Sequence, residues 1–274
     1  MQLRRLTIGV VGCSGTGSIV VELVARLGVG TLVLVDPDRI EERNLNRVVN
    51  AAREDAYLDR FKVEVAARAI ARMGFATEVK LVRTNLLTPE AIRAVAACDV
   101  VFGCMDSAEG RHALNRLTAF YVTPYLDVGV RLDADGVGGI DQVCGAVHTL
   151  QPDGSSLLSR GVYTLERVHA EGLRRTNPAL YRKEVEEGYI RGVEEDRPAV
   201  VSVNAQLASM AVNEFLARLH PYRYDDNADF AVVRTSLIQG ETYRESETAP
   251  CPVLARHVGR GDVEPLLGMP ELSE

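Results

Sequence analysis

Residues 7–38 read TIGVVGCSGTGSIVVELVARLGVGTLVLVDPD, and this stretch decides the fold. Thr7 to Val11 is a short apolar run without helical spacing, which predicts a buried strand. From Gly17 to Leu27 the apolar residues Val20, Val21, Val24 and Leu27 fall at helical spacing, and Gly28 and Gly30 stop that helix. Thr31 to Val35 is again short and apolar, a second strand. Strand, glycine loop, helix and strand in 32 residues is the opening unit of a parallel sheet. The loop between the first strand and the helix carries Gly12, Gly15 and Gly17. Glycines let backbone approach phosphate closely, and the helix start offers free N–H groups and partial positive charge. Asp36 follows Gly17 by 19 residues at the end of the second strand, where a carboxylate can accept from both hydroxyls of a ribose.

The alternation continues outward. Helical patterns run over 62–73, 89–97 and 109–122, and strand patterns over 78–82, 99–102 and 125–130. This order predicts a Rossmann-like, doubly wound α/β sheet, mainly parallel and covered on both faces, with ligands at the carboxyl ends of its strands. Beyond residue 130 the pattern changes. Asp133 to Gly139 reads as a turn, Val143 to Leu150 as an outlying strand, and 151–197 as a charge-dense, partly helical insertion facing solvent and mobile. Ala199 to Leu219 reads as a long helix with small residues, buried or packed on a partner chain. Asp229 to Leu237 is a last strand, and the tail after Pro250 is irregular. The expected organisation is one unit over 1–274: a nucleotide-binding half (1–130), an antiparallel extension with the helical insertion (131–198), and a packing helix, last strands and tail (199–274).

Composition narrows the function classes. The chain has 274 residues, 46% hydrophobic, with a formal charge of −7. That charge argues against nucleic acid, whose phosphates require clustered Lys and Arg. No apolar run reaches the roughly 20 residues of a membrane span. Five scattered cysteines read as reduced thiols in a cytoplasmic protein.

Glycine loop and Asp36 together admit either NAD or ATP. The next stretch, VDPDRIEERNLNRVVN (35–50), discriminates. Asp36 and Asp38 sit at a strand end; Asn44 and Arg47, three apart, can point the same way. Lys62 opens the next helix and adds a second cation. A dehydrogenase leaves these cations idle, whereas an enzyme that breaks a triphosphate requires them. Asp106, in VVFGCMDS, follows another strand and is suited to Mg²⁺.

With those residues in place the sequence resembles the ThiF/MoeB/HesA family of ubiquitin-activating-enzyme-like adenylyltransferases. The similarity runs over about 7–130, through the loop glycines, VDPD, RNLNR (43–47), FKVE (61–64) and GCMDS (103–107), and resumes in PAVVSVNAQLASMAVNEFLARL (198–219). The resemblance implies that Gly12, Gly15 and Gly17 cradle the phosphates of ATP and that Asp36 holds the ribose. It assigns Arg47 and Lys62, with Asn44, to the phosphates that leave as pyrophosphate, and Asp106 to Mg²⁺ with Asp38 close by. The implied reaction adenylates the C-terminal carboxylate of a small ubiquitin-like protein or peptide, in a homodimer or heterodimer. The alternatives are a non-catalytic half of a heterodimeric activating enzyme acting as a binding module, and an NAD-dependent oxidoreductase.

Three departures from the family pattern stand out. The paired C-x-x-C ligands of a structural zinc are missing: QPDGSSLLSRGVY (151–163) holds no cysteine, and Cys251 lacks a second. No zinc is therefore expected, since a closed site takes four ligands and Cys251 with His257 supplies two. The insertion also lacks a cysteine for a thioester, which leaves Cys144 and Cys251 as candidates; Cys13 and Cys104 read as packing. Third, the chain starts about six residues before its first strand, with no N-terminal helix to donate an arginine to a partner's ATP. That arginine is expected from elsewhere, or from a larger enzyme of which this chain is part.

Overall fold

A computed structural model describes residues 2–134, 140–190 and 200–273. Strands β1 (Thr7–Val11), β2 (Thr31–Val35), β3 (Glu78–Val82), β4 (Val100–Gly103) and β5 (Tyr125–Ala134) are followed by β6 (Ile140–Leu150), β7 (Val232–Ser236) and β8 (Glu241–Glu245). They form one sheet in the order β3-β2-β1-β4-β5-β6-β7-β8. Pairing is parallel from β3 through β5 and antiparallel from β5 to β8. The Rossmann-like α/β sheet with an antiparallel C-terminal extension is thus present. Chain direction across the sheet reverses between β1 and β4, so a crevice opens at the carboxyl ends of those two strands.

Helices cover both faces because the central strands are apolar on both sides. One face holds α1 (Gly15–Arg26), α3 (Lys62–Met73) and the long α8 (Val201–Leu219), packed as one cluster around Ile8, Val10, Leu34 and Phe102. The short α2 (Arg53–Tyr57) precedes α3. The opposite face holds α4 (Pro89–Ala96) and α5 (Ala108–Tyr121), with the tail pressing Leu266, Leu267, Met269 and Leu272 into the same core. The tail is irregular, as its glycines and prolines predict, yet six of its side chains are buried: Cys251, Leu254, Leu266, Leu267, Met269 and Leu272.

The insertion forms α6 (Leu165–Thr176) and α7 (Pro178–Glu186). It is less free than its charge density suggests. Arg175 makes a bidentate contact with the buried Glu109 on α5, Nη2 to Oε1 at 2.7 Å, and Glu171 accepts from the Glu109 backbone N–H at 2.9 Å. α8 finds its partners within this chain, burying Val203, Leu207, Ala211 and Phe215 against α1, β5 and β6. The remainder of the insertion (191–197), most of the turn anticipated at 133–139 and Ala199 lie outside the described residues.

Candidate functional site

Strand register brings the site together. Val11 pairs with Val35 and with Gly103, so Gly12, Asp36 and Cys104 leave the sheet side by side. Gly12 adopts a positive φ of 87°. A Cβ there would meet the Cys104 carbonyl oxygen at 2.9 Å and Met105 Cγ at 3.3 Å. A side chain at Gly17 would collide with the Gly12 carbonyl. These two glycines therefore let the loop after β1 fold tightly against the loop after β4, which carries Asp106. Gly15 is closed off by Asn204 of α8 and by Arg47, whose Cδ lies 3.4 Å from where its Cβ would stand. α1 opens at Ser14 without a side-chain cap, so no side chain of the cap residue occupies its first-turn amides.

Asp36 is buried. Its Oδ2 accepts from the Cys13 N–H at 2.7 Å and its Oδ1 from the Asp38 N–H at 2.8 Å. Burial raises its pKa above the ordinary carboxylate value, against the opposing pull of Lys62 and these two backbone donors. One lone-pair site per oxygen is left for a ligand's donors. Lys62 is 6% exposed, and its Nζ sits 2.7 Å from Oδ2 of the exposed Asp38. The start of α3 is tied to the end of β2 by the Lys62 N–H, which donates to the Asp38 carbonyl at 3.0 Å.

Asn44 lies in a single 3-10 turn, Glu42–Asn44, and its Oδ1 accepts from the Glu41 N–H at 3.0 Å. Its carboxamide thus shapes the turn that delivers Arg47. Arg47 is half-buried, and its Nη1 donates to the Arg43 carbonyl at 2.8 Å and to Asn46 Oδ1 at 3.1 Å. Among the described residues no carboxylate forms an ion pair with Arg47, which leaves its charge over the glycine loop available to an anion.

The cysteines divide. Cys13 and Cys104 sit beside the loop, and burial pushes both thiols well up, which makes thiolate formation unfavourable. Cys251 is 1% exposed beneath Ala119 and Leu254. Cys144 lies on β6 opposite Arg131 and Ser236 and lines a cleft. Among the described residues no cluster of three or more His, Cys, Asp or Glu side chains is placed to hold a metal.

That cleft, of about 560 Å³, runs from Asp106 across the antiparallel half of the sheet. Its lining includes Arg111, Asp127, Gly129, His148 and Arg234. Sequence reasoning missed these residues. Arg111 follows Asp106 by five positions on α5, a spacing that is legible; Asp127 and His148 gain their meaning from register alone.

The fold is of the Rossmann-like α/β class, with the glycine loop, Asp36, Lys62 and Arg47 at the point where its strand order reverses. The chain belongs to the ThiF family, whose model matches residues 1–251. It is similar to ubiquitin-like modifier-activating enzyme 5 of Culex quinquefasciatus, at 29% identity over 55% of this chain and 38% of that protein. The corresponding enzyme of Caenorhabditis elegans matches at 34% identity over 42% of this chain and 29% of that one. The chain thus spans well under half the length of these relatives. In fold it resembles the Microcin C7 biosynthetic enzyme MccB in complex with N-formylated MccA, with a TM-score of 0.70 at 16% identity, covering 93% of this chain and 68% of MccB. E. coli MccB with AMPCPP and MccA aligns with a TM-score of 0.66 at 17% identity, over 96% of this chain and 66% of that one. No described helix is long and apolar enough to cross a membrane.

Proposed function

We propose that this chain is an activating adenylyltransferase that joins the C-terminal carboxylate of a small ubiquitin-like protein or peptide to the α-phosphate of ATP. The observation that carries this reading is the meeting of Asp36, Lys62 and Arg47 around the glycine loop at the sheet's reversal point. Two cations beside a phosphate loop serve a triphosphate better than a dinucleotide. Family membership, the activating enzymes among the relatives and the MccB structures named for AMPCPP and MccA support the same reading.

In the proposed reaction a carboxylate oxygen of the acyl substrate attacks the α-phosphorus of ATP. The bond from that phosphorus to the β-phosphate bridge breaks, and pyrophosphate leaves with the electron pair. A carboxylate is ionised at neutral pH, so no base has to remove a proton. Asp36 accepts from the ribose hydroxyls, while the loop amides and the start of α1 face the phosphates. Lys62 and Arg47 oppose the charge that gathers on the leaving pyrophosphate, and their fixed placement supplies the rate. Asp106 is exposed and, among the described residues, belongs to no cluster of three or more His, Cys, Asp or Glu side chains placed to hold a metal. That fits a Mg²⁺ bound through one carboxylate, substrate phosphates and water; when bound, the ion neutralises phosphate charge. For any transfer to a cysteine, the cleft-lining Cys144 is better placed than the sealed Cys251.

The test measures exchange of radiolabelled pyrophosphate into ATP, together with thermal shifts by Mg-ATP and by NADH. Exchange that requires a small ubiquitin-fold protein or peptide with a free C-terminal carboxylate, and stops when that carboxylate is amidated, is the expected result. Stabilisation by NADH and not by ATP would overturn the reading. Partner binding without exchange would make the chain a non-catalytic half.

A further inference from the structure

Two buried polar atoms in the cleft have no hydrogen-bond partner among the described residues. Asp127 is 1% exposed, and both donors that reach it, Tyr125 Oη at 2.5 Å and Arg111 Nε at 3.1 Å, go to Oδ1. Its Oδ2 accepts from no donor among the described residues. His148 is 3% exposed, and its Nδ1 is likewise unpartnered. The two residues are directly opposed across β5 and β6, so their side chains rise from the same face of the sheet. Both line the cleft that begins at Asp106. Beside them the next opposed pair on that face is Gly129 and Ala146, whose lack of bulk keeps the floor low, with Arg111 Nη2 3.2 Å from where a Gly129 Cβ would stand.

A buried polar atom without a partner is costly, and native structures seldom keep one for no purpose. The chemistry of the missing partner follows from charge. Oδ2 of a carboxylate calls for a donor. Arg111 already balances the Asp127 charge, so a second cation is not required. Burial, and then the positive charges of Arg160, Arg234 and Arg111, hold the His148 pKa down at about 3, which leaves its imidazole neutral at pH 7. A carboxylate carries no hydrogen to offer Oδ2, so an anion drawn by the arginines of the cleft would not satisfy it. An uncharged N–H beside a carbonyl fits both atoms, and an extended peptide residue presents its own N–H and C=O on one side.

We infer that Asp127 and His148 form a reading point for the peptide main chain of the acyl substrate, Asp127 Oδ2 taking an amide N–H and His148 Nδ1 meeting the neighbouring carbonyl. The point selects chains that keep an amide hydrogen near the carboxyl end, and rejects N-alkylated ones. It rests on the acyl-activating reading for its substrate, but the binding it requires is independent of nucleotide.

The experiment uses acetyl-triglycine and acetyl-trisarcosine, in which every amide hydrogen is replaced by methyl. Both are titrated into the nucleotide-free protein and followed by the backbone amide NMR signals of Gly129 and Ala146. Asp127→Asn is the informative variant. Tyr125 and Arg111 hold its oxygen towards them, so the new NH₂ faces the cleft and an acceptor becomes a donor. Wild type is expected to bind triglycine at least about tenfold more tightly than trisarcosine, and D127N to bind the two alike. Equal binding to wild type, discrimination that survives in D127N, or no shift at Gly129 and Ala146 would each overturn the inference. Because ATP is absent, those outcomes are separate from a failure of pyrophosphate exchange.

Discussion

Lys62 Nζ lies 2.7 Å from Asp38 Oδ2, and the two ends of this pair stand in different surroundings: the lysine is 6% exposed and the aspartate 63%. A half-exposed pair of this kind contributes little to stability. Its consequence is positional, since it holds a buried cation beside the glycine loop. Lys62→Ala should lower pyrophosphate exchange by about 10²-fold. Asp38→Asn should leave the rate within about fivefold. If D38N proved as damaging as K62A, the aspartate would be part of the chemistry and not a resting partner for the lysine.

Asp36 ties the two loops together through Cys13 and Asp38. Asp36→Ala strands two backbone donors and should cost about 1–3 kcal/mol in chemical denaturation, as well as weakening ATP. The pH dependence has a definite sign. Burial raises the folded pKa of Asp36 above its unfolded value, so the folded protein holds the proton to higher pH. Stability from this group is therefore full below the unfolded value of about 4 and is lost as pH rises through the folded pKa. Nucleotide affinity runs the other way, because ribose hydroxyls donate to the ionised form. ATP affinity measured by calorimetry should fall on acidification, beginning above the ordinary carboxylate range, and D36N should remove that dependence.

Gly17 separates steric need from conformational need. An added Cβ would run into the Gly12 carbonyl, so Gly17→Ala forces the glycine loop open. A loss of at least about 3 kcal/mol is expected, seen as a melting temperature lower by about 6 °C or more. Gly28 has a φ of 72° but nothing within 4 Å of its would-be Cβ. Gly28→Ala should cost about 1–2 kcal/mol from the left-handed backbone alone, without affecting ATP binding.

The legible parts of the sequence are those where a buried strand meets a helix at every crossing. β1 and β2 fall at their anticipated residues because they are apolar on both faces, and β3 and α3 because Val79, Leu81 and Val82 and the stripe Val63, Val65, Ala66 and Ile70 mark where each packs. β8 was not anticipated. All five residues of ETYRE are exposed, and a charged edge strand carries no apolar alternation to read. β5 runs beyond Val130 because Arg131 and Asp133 occupy one face while Leu132 is buried on the other. Glycine loop, strand-end acids and nearby cations are local motifs, so the end of the site proposed for nucleotide is visible in one dimension. Asp127 looks like a strand interior and His148 like a packing residue until register sets them opposite each other. The docking of α6 likewise depends on Glu109 meeting Arg175, 66 residues away, which no periodicity reveals.

The segment that presents Lys62 depends on one buried acid. Asp55 is fully buried; it accepts from Arg68 Nη1 at 2.5 Å, from Arg60 Nη1 at 2.7 Å and, through Oδ2, from the Ala52 N–H at 2.8 Å. Arg68 is on α3 itself, so this carboxylate fastens the loop after Arg47 to the helix that carries Lys62. The Arg68 hydrogen bond, above all, holds the Asp55 pKa well below the ordinary range, against the penalty of burial. A depressed folded pKa contributes stability that is present above the unfolded value of about 4 and is lost as pH falls towards the folded one. Asp55→Asn should therefore cost about 2–3 kcal/mol at pH 7 in urea denaturation. The gap between wild type and variant should narrow steadily below about pH 4. A gap that stayed constant into acid would mean that shape, and not charge, holds the segment. Because α3 loses its anchor, D55N should also raise the KM for ATP while leaving Asp36-dependent pH behaviour intact, which distinguishes a misplaced Lys62 from a damaged ribose site.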